Sequence, residues 1–423
     1  MGLERLQTIL DRLVAERKAD LARQQATGKG ELAHPHPVIG YFCNYAPREL
    51  ILAAGAIPIR LAEGGTYGTK VRGERYVRAD ACPFCKSCLG LFADDPLYKL
   101  VSVVVAPSMC DQMRRLPEAI ERNFGIPVWP MSVPRTWEDI STRRLFRHEI
   151  LWLRAQLERL TGTVLTAEAL AQVMLVEEEK RSLLRAINDT RRADRPIVTE
   201  TDILKLVSAA NLLRAEDCVA ILRQQLTGAE RQDAALWELA PTGGAETSGV
   251  RISDAGGRGR SPRPLGIESS RPGNVGSVPR LMLAGSIIAE HDRNLIQMVE
   301  ERAAIVADLL CTGVRSFLEP LTVPVTDDLE GLLGVLADYY FDQPGCIHRR
   351  PNTGYYRLAR NLIQEFRVTG IVLKTLFFCD AFNFEALRLE RELGLPLLHV
   401  DTDYGETNTG QLRTRVEAFL ETL

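Results

Sequence analysis

The stretch LVSVVVAPSMC, residues 100–110, combines an apolar run with a cysteine that stands just beyond its end. A second stretch, GIVLKTLFFCD at residues 370–380, repeats this arrangement in the C-terminal half. Short, nearly continuous apolar runs are typical of strands in parallel sheets that are covered on both faces. The carboxyl ends of such strands face the crevice in which open α/β sheets bind ligands. The two stretches therefore predict an α/β fold with Cys110 and Cys379 at such crevices.

The alternation of strand and helix patterns continues through both halves of the chain. In the first half, apolar runs predict strands at residues 38–42, 57–61, 100–106 and 126–131, and helical spacing predicts helices at 47–54 and 111–124. In the second half, strands are predicted at residues 280–285, 304–309, 370–378 and 395–400, and helices at 290–301, 328–340, 356–366 and 411–422. Strands that alternate with helices favour parallel sheets with helices on both faces.

Changes in composition divide the chain into five predicted segments. An amphipathic helix is expected over residues 1–30, and α/β lobes over residues 31–135 and 280–423. Residues 136–240 have helical spacing and are rich in Leu, Ala, Glu and Arg, which predicts a helical bridge between the lobes. Residues 241–279 are rich in Gly, Pro, Ser and Arg without an apolar period, so we expect a flexible insertion there.

The bulk composition excludes several classes of protein. The chain has 423 residues with 45% hydrophobic and 25% charged side chains, as in soluble globular proteins. Its formal net charge of −3 gives no basic footprint for a nucleic acid. The N-terminus is unlike a signal peptide, and no uninterrupted apolar run reaches the roughly 18–20 residues that cross a bilayer. We therefore expect a cytoplasmic protein with no nucleic-acid or membrane partner.

Nine cysteines are the most informative feature of the composition. In a reducing cytosol such cysteines are buried fillers, metal ligands or redox groups rather than disulfides. We expect Cys218 and Cys311 to be fillers, whereas Cys43, at the exit of the first predicted strand, fits either interpretation. Three further cysteines form a C-x2-C-x2-C run at Cys82, Cys85 and Cys88.

Three kinds of metal site compete for the C-x2-C-x2-C run. A local ferredoxin-type site needs a fourth cysteine followed by proline, but Phe92 stands at that position. A structural zinc site needs a second cysteine pair or a histidine pair, and the six histidines lack that spacing. An iron–sulfur cluster assembled from distant cysteines at strand ends fits the placement. A helix or turn in the run would direct Cys85 and Cys88 away from the ligand position of Cys82.

Several ordered segments resemble the 2-hydroxyacyl-CoA dehydratase D-component / benzoyl-CoA reductase family. They cover nearly everything outside the helical middle and the insertion, and no single one would suffice. The segments are GYFCNYAPRELILAAGAIPIRL (40–61), ACPFCKSCLG (81–90), APSMCDQMRRL (106–116), RLMLAGSII (280–288), CTGVRSF (311–317), GCIHRRPNTGYYR (345–357), GIVLKTLFFCD (370–380) and LPLLHVDTDYGETNTGQLRTRVEAFLE (395–421).

The resemblance implies two flavodoxin-like lobes that hold one [4Fe–4S] cluster between them through three cysteines. Carried onto this sequence, the ligands are Cys82, Cys110 and Cys379, with Cys346 as the reserve candidate for the third. Three protein thiolates would leave one iron open to water, thiol or substrate oxygen. The implied reaction is that of a lyase, in which one electron converts an acyl-CoA thioester to a ketyl radical anion that expels the 2-hydroxyl group.

The resemblance also suggests polar residues for this reaction. Glu49 matches the position of an active-site carboxylate in the family, although a glutamate in the first turn of a helix after Pro47 is also explained by the helix dipole. Arg48, Lys86 and Arg357 are candidate contacts for the phosphates of coenzyme A, with ordinary surface charge as the alternative.

Other functions of the same architecture remain open at this point. They are a benzoyl-CoA reductase-type subunit that reduces an aromatic ring, a double-cubane cluster reductase, and a non-catalytic subunit that bears a cluster. The segment CPFCKSCLG at residues 82–90 fits the double-cubane pattern, but the further cysteine expected near Asp95 or Pro96 is missing. The resemblance implies a second similar subunit, in a heterodimer or a homodimer. No GxxxxGK[ST] motif occurs, so we do not expect this chain to hydrolyse ATP itself. The resemblance implies a separate ATP-dependent iron–sulfur activase.

Overall fold

The structure is a computed structural model that describes most of the chain. The described residues are 36–62, 64–224, 226, 278–342, 345–405 and 409–423, with isolated residues between 12 and 23. Those isolated N-terminal residues are helical. Most of the helix predicted over residues 1–30, and almost all of the insertion predicted over residues 241–279, lie outside the described residues. Within the described part of the chain, no helix combines the length and the apolar character that a bilayer crossing requires.

The first lobe contains a four-stranded parallel sheet in the order β2-β1-β3-β4. Its strands are β1 (Val38–Tyr41), β2 (Ile57–Arg60), β3 (Val101–Pro107) and β4 (Val128–Met131). Its helices are α1 (Arg48–Ala53), α2 (Tyr67–Gly73), α3 (Pro83–Asp94) and α4 (Asp111–Phe124). All four predicted strands are present. The strands β1, β2 and β3 are almost entirely buried, as their apolar runs predict, whereas β4 at the sheet edge is only partly buried.

The second lobe repeats this layout with the strand order β6-β5-β7-β8. Its strands are β5 (Arg280–Gly285), β6 (Ala304–Leu309), β7 (Gly370–Leu376) and β8 (Leu397–Thr402). The segment that precedes it in the chain is helical: it contains α5 (Ile140–Thr161), α6 (Ala167–Asp189) and α7 (Glu200–Leu212), and residues 215–224 are also helical. After β5 the chain forms α8 (Arg293–Glu300), α9 (Leu329–Asp342), α10 (Thr353–Glu365), α11 (Asp380–Leu393) and α12 (Thr409–Leu420). Helix α9 packs against α5 and α6 in the core cluster of the first lobe, and the other four helices belong to the second lobe. The prediction of an α/β fold with two parallel-sheet lobes is confirmed.

Helices α2 and α3 differ from the sequence-based expectation, which placed only a connection between the second and third strands. Helix α3 begins with Pro83 at its first position, where the fixed φ of proline favours a helix start and no hydrogen bond is lost. Its buried face packs against β2 and β3 and consists of Phe84, Cys85, Cys88, Leu89 and Phe92. The connection is therefore a structured layer over the sheet.

The two lobes share buried contacts rather than a thin linker. In one apolar cluster, Leu376 and Tyr404 of the second lobe pack with Cys82 and other residues of the first. Backbone N–H groups of Glu290 and His291 donate to the carbonyl groups of Gly64 (3.1 Å) and Gly65 (3.3 Å). This close approach of the two lobes holds the cleft between them in a defined shape.

Gly65 shows why the approach is so close. It has a φ of +81°, and a Cβ built on it would lie 2.2 Å from the Cβ of Ala289. A side chain there would be strained by its backbone and would also push the second lobe away.

Candidate functional site

Cys82 is the N-cap residue of α3 and lies almost completely inside the protein. A hydrogen bond from the thiol of Cys85 lowers the pKa of Cys82 to about 7, although burial opposes this shift. The N–H groups of Phe84 and Cys85 at the start of the helix and the charge of Lys374 lower this pKa further. Helix N-termini favour thiolates in this way because their free N–H groups carry partial positive charge. Cys82 is the described cysteine best prepared to act as a thiolate.

Cys110 and Cys379 occupy the same position at two other helices. Cys110 is the N-cap of α4, and its Sγ accepts a hydrogen bond of 3.4 Å from the N–H of Met113. Cys379 is the N-cap of α11, at the exit of β7. Burial raises the pKa of each thiol to about 12, against the lowering effect of helix N–H groups. Without a bound cation these two side chains are therefore neutral thiols at neutral pH.

The three N-cap cysteines lie near one another although they come from both lobes. A charge on Cys82 raises the pKa of Cys110 and of Cys379, and a charge on Cys110 raises the pKa of Cys379. Cys82 and Cys379 also contact the same apolar cluster. Three helix N-termini and three thiols thus converge at the carboxyl ends of β3 and β7, which is the edge where α/β sheets bind ligands.

Among the described residues, no three His, Cys, Asp or Glu side chains come close enough to hold one ion. The ligands of a cubane bind different iron atoms, so their sulfur atoms stand farther apart than those around one ion. A cluster is therefore compatible with this finding, whereas one zinc ion held by three of the described side chains is not.

Cys85 and Cys88 lie within α3, and the expectation that a helix directs both away from Cys82 is wrong for Cys85. Cys88 is fully buried and donates a hydrogen bond to the carbonyl oxygen of Leu61, with an S···O distance of 3.7 Å. Cys85 points its thiol toward Cys82, and both that hydrogen bond and burial raise its pKa. Cys85 supports Cys82, whereas Cys88 is a core residue.

Two residues that the sequence analysis overlooked complete the surroundings of Cys82. Lys374, in the middle of β7, is 1% exposed, and its Nζ lies 2.6 Å from Asp292 and 5.0 Å from the ring centroid of Tyr404. Tyr404 is fully buried with a φ of +62°, and its hydroxyl has no hydrogen-bond partner among the described residues. A lysine inside an otherwise apolar strand was the available signal, because buried lysines need a specific partner.

Cys346 belongs to a second group of thiols beside the first. Charges on Cys311 and Cys346 raise the pKa of Cys43, so these three thiols lie near one another. A charge on Cys346 also raises the pKa of Cys110, which belongs to the first group. The Nη1 of Arg315 donates to Cys311 Sγ at 3.3 Å. Cys311 was expected to be a filler, but the structure places it in a polar, half-buried contact, because the turn after β6 brings Arg315 back onto its sulfur atom. Cys218 is buried in an apolar cluster, as expected.

Glu49 lies in the first turn of α1 and has no exposed surface. One carboxylate oxygen accepts a hydrogen bond of 2.5 Å from Arg181, and the other accepts one of 2.6 Å from the Tyr340 hydroxyl. In this conformation both oxygens are engaged with protein groups. The structure therefore supplies a structural partner for each oxygen, and a catalytic role of Glu49 stays a prediction.

The candidate contacts for coenzyme A phosphates occupy different environments. Arg48 is buried and donates to Glu177 (3.3 Å) and to the carbonyl oxygen of Asn211 (2.7 Å). Lys86 is also buried and donates to the carbonyl oxygen of Ala79 at 2.7 Å. Ordinary surface charge is the wrong explanation for both, since their charges are satisfied inside the protein.

Arg357 alone of these three candidates is exposed, and it lines the cavity that also contains Cys346. Its guanidinium is accessible to a ligand.

Comparisons with known proteins place the chain in a family. The family model for the 2-hydroxyglutaryl-CoA dehydratase D-component matches residues 43–423. The chain is 25% identical over 394 residues to a protein of Escherichia coli K12 that carries the name "Putative dehydratase subunit YjiM", covering 92% of this chain and 91% of that protein. It is 28% identical to a benzoyl-CoA reductase subunit of Thauera aromatica, covering 89% of this chain and 87% of that protein. It is 22% identical to the beta subunit of (R)-2-hydroxyglutaryl-CoA dehydratase of Acidaminococcus fermentans, covering 100% of both chains. The chain belongs to the 2-hydroxyglutaryl-CoA dehydratase D-component family.

Proposed function

We propose that this chain is the iron–sulfur subunit of a radical 2-hydroxyacyl-CoA dehydratase, a hydro-lyase that removes water from a hydroxyacyl thioester. The observation that carries the proposal is the convergence of Cys82, Cys110 and Cys379, each the N-cap of a helix, from two lobes. Membership of the dehydratase family supports it.

The donor set fits a [4Fe–4S] cluster. Thiolates are the ligands that iron–sulfur clusters use, and the buried Cys82 and the half-buried Cys110 and Cys379 supply them without a competing hard ligand. A cluster held by thiolates carries negative charge, which the helix N-termini and Lys374 would stabilise. Such a cluster, held by Cys82, Cys110 and Cys379, would supply one-electron transfer and an iron that can bind a substrate oxygen.

The protein residues around the thiols would set the conditions for this chemistry. Apolar side chains of α3 together with Leu376 and Tyr404 keep bulk water away from Cys82. The Lys374–Asp292 pair holds a positive charge beside the site in a fixed position. Burial of this kind strengthens every charge interaction inside the cleft. Glu49 would take part in proton transfer only after exchanging Arg181 or Tyr340 for substrate.

A benzoyl-CoA reductase-type subunit is the second candidate. The observation in its favour is the 28% identity to the benzoyl-CoA reductase subunit of Thauera aromatica, over 89% of this chain. The same cluster ligands would serve both reactions, so the two functions differ in the acyl-CoA that the complete enzyme accepts.

A second subunit would complete the enzyme. Relatives of this chain are named as subunits of dehydratases and of a reductase. Four large apolar side chains near Cys379 are exposed: Phe377, Phe378, Phe384 and Leu387. Exposed apolar groups in this concentration are typical of protein interfaces. We propose that they are buried against a similar subunit, that a separate ATP-dependent iron–sulfur activase delivers the electron, and that the complex works in the cytoplasm.

Anaerobic purification with iron and sulfide counting tests the cluster. We expect the wild-type chain to contain about four irons per cluster and to show the visible absorbance of an iron–sulfur protein. Cys110→Ala and Cys379→Ala should each lose both, whereas Cys218→Ala, a matched change at a buried thiol in another part of the core, should keep both. Full iron content in both site variants would refute the ligand assignment.

Turnover assays of the complete enzyme separate the two candidate reactions. A matching activase and partner would be combined with a hydroxyacyl-CoA or with benzoyl-CoA. Loss of water from the first supports the dehydratase, and reduction of the second supports the reductase.

A further inference from the structure

A cavity of about 310 Å³ opens beside Cys346, between the segment that follows β6 and the N-terminal part of α10. Its inner wall is formed by Arg315, Cys346, Arg349 and Tyr355, and we call this wall the basic chamber. All four side chains are at least nine-tenths buried. Arg357 lines the same cavity and is exposed to solvent.

The polar groups of the basic chamber have hydrogen-bond donors to spare. Arg315 Nε, Arg349 Nη1 and the Tyr355 hydroxyl are buried and make no hydrogen bond within the described protein. The guanidinium of Arg315 lies 5.9 Å from the Tyr355 ring centroid. The guanidinium of Arg349 lies 5.9 Å from the ring centroid of Tyr45, whose buried hydroxyl is likewise unsatisfied. The unsatisfied donors are therefore neighbours rather than scattered defects.

No carboxylate among the described residues forms an ion pair with either buried arginine. The charge of Arg315 lowers the pKa of Asp308, but the two groups form no ion pair. The carboxylate oxygens of Asp308 instead accept hydrogen bonds from the backbone N–H groups of Leu310 and Val314. At the cavity rim, Asp342 is bound by Arg143. Glu319 also lines the cavity, but this residue is exposed to solvent.

The charge of Glu385 raises the pKa of Tyr355, but its carboxylate already accepts hydrogen bonds from Asn352 and Tyr356. Two buried positive charges thus face the cavity without a counterion from the described residues.

Buried charges without a partner are costly, and proteins keep them where a ligand supplies the missing charge. Planar guanidinium groups match the paired oxygens of carboxylate and phosphate. The volume admits a small acid but not a whole nucleotide-bearing molecule such as coenzyme A. We propose that the basic chamber is a binding site for a small oxyanion, a carboxylate or phosphate group, held by Arg315, Arg349 and Tyr355.

Calorimetric titration of the full-length chain, purified anaerobically, tests the proposal directly. The probes are succinate, inorganic phosphate and succinamide, which has the shape of succinate without its charge. We expect succinate or phosphate to bind and succinamide not to bind. Binding of succinate alone would identify a carboxylate site, and binding of phosphate alone a phosphate site. Equal binding of succinamide, or no binding of either anion, would overturn the proposal.

Variants separate a ligand-binding role of the arginines from a packing role. Arg315→Met and Arg349→Met keep an unbranched side chain and remove the charge, so each should weaken anion binding by about 10- to 100-fold. The unfolding midpoint without anion should stay level or rise, because an unpaired buried charge is removed. Arg360→Met, an exposed arginine on α10 paired with Glu392, should leave binding unchanged. Unchanged anion binding together with a lower midpoint would show that the arginines serve packing, and the proposal would fail.

Thiol labelling gives a readout on the unaltered protein. Cys346 lines the chamber, so bound succinate or phosphate should slow its alkylation by iodoacetamide, followed by peptide mass spectrometry. Succinamide should have no such effect. Protection by neither anion would overturn the proposal. Neither readout requires a cluster or turnover, so failure of the chamber and failure of the proposed enzyme function are distinguishable.

Discussion

The hydroxyl of Tyr340 donates a hydrogen bond of 2.6 Å to Glu49 in the interior of the protein, where Glu49 has no exposed surface. The other oxygen of the same carboxylate accepts from Arg181, on α6. Through these contacts Glu49 connects α1 of the first lobe with α6 and α9. The residue that sequence comparison suggested for proton transfer is thus also a junction between three helices.

Removal of the Glu49 carboxylate should destabilise the protein. Glu49→Ala leaves Arg181 buried without its counterion, so we expect the free energy of unfolding to fall by about 3–5 kcal/mol. Tyr340→Phe removes the hydrogen bond to Glu49 and the acceptor of the Arg48 backbone N–H, and it should cost about 1.5–3 kcal/mol. Chemical denaturation measures both changes. A Glu49→Ala variant with wild-type stability and no turnover would instead assign Glu49 to catalysis.

Glu177 should link stability to pH. Burial alone would raise its pKa, but the charges of Lys180 and Arg48 outweigh it and lower the pKa to about 2. A carboxyl group whose folded-state pKa is depressed stabilises the protein above its unfolded pKa, about 4.3, and loses this contribution as the pH falls towards about 2. The stability difference between wild type and Glu177→Gln should therefore be constant near neutral pH and shrink below about pH 4.3.

The free energies of unfolding of two variants test the role of Glu177 at neutral pH. At neutral pH, Glu177→Gln should lower the free energy of unfolding by about 3–5 kcal/mol, because Arg48 and Lys180 lose their shared counterion. Glu179→Gln, which breaks a solvent-exposed pair with Arg223, should cost no more than about 1 kcal/mol. Equal effects of the two variants would contradict the buried network.

Cys346 and Cys88 should be dispensable for iron. Cys88 bonds to the Leu61 carbonyl group inside the core, and Cys346 lies against Arg315 in the second thiol group. We expect Cys346→Ala and Cys88→Ala to retain the iron of the wild-type protein, whereas Cys82→Ala loses it. Iron and sulfide counts on anaerobic samples decide this, and iron loss in Cys346→Ala with iron retained in Cys379→Ala would exchange the two as ligands.

Gly65 should resist substitution because the two lobes meet there. Gly65→Ala combines a left-handed φ with a clash against Ala289, so we expect a loss of about 2–4 kcal/mol in the free energy of unfolding. Gly68→Ala is the matched control, since no atom lies within 4 Å of its added Cβ and it sits in α2. That variant should be neutral or more stable by about 0.5 kcal/mol. Thermal unfolding of both variants measures the difference.

Phe384 should contribute to the interface with the second subunit. It is 82% exposed on α11, the helix capped by Cys379. Phe384→Asp should weaken association with that subunit by at least about 10-fold, since it places a charge in a buried apolar contact. Val164→Asp, a similar change at a 75% exposed position between α5 and α6, should not. Sedimentation of the mixed subunits measures both, and equal association of the two variants would locate the interface elsewhere.

Local patterns predicted all eight strands of the two described sheets and missed the helices in the connection between the second and third strands. Strands β5 and β6 were predicted with the bounds that the structure has, because an apolar run bounded by polar residues is a local signal. Helix α3 was missed because its cysteines, lysine and serine interrupt an apolar period, although every residue from Pro83 to Gly90 is buried. The burial of α3 on both sides depends on its packing against α2 and against the sheet. These contacts cannot be inferred from the sequence of the helix alone.

The residues of the candidate site divide in the same way. Cys110 and Cys379 could be recognised from the sequence, since each closely follows a strand and precedes a helix. Lys374 stood out only as a polar residue in an apolar run, and its partner Asp292 could not be inferred from the sequence. The charge of Lys374 becomes important only because burial removes the water that would otherwise screen it.

By itself, the sequence determined the alternating strands and helices, the cysteines at strand ends and the likeness to one family. These features follow from short-range hydrophobic periodicity and from the short-range geometry of helix starts. Only the tertiary structure decided which cysteines meet, that Glu49 is engaged with Arg181 and Tyr340, and that Arg315 and Arg349 face a cavity without counterions from the described residues. The physical reason is that burial and charge compensation depend on groups far apart in the chain, whose proximity arises only when both lobes pack together.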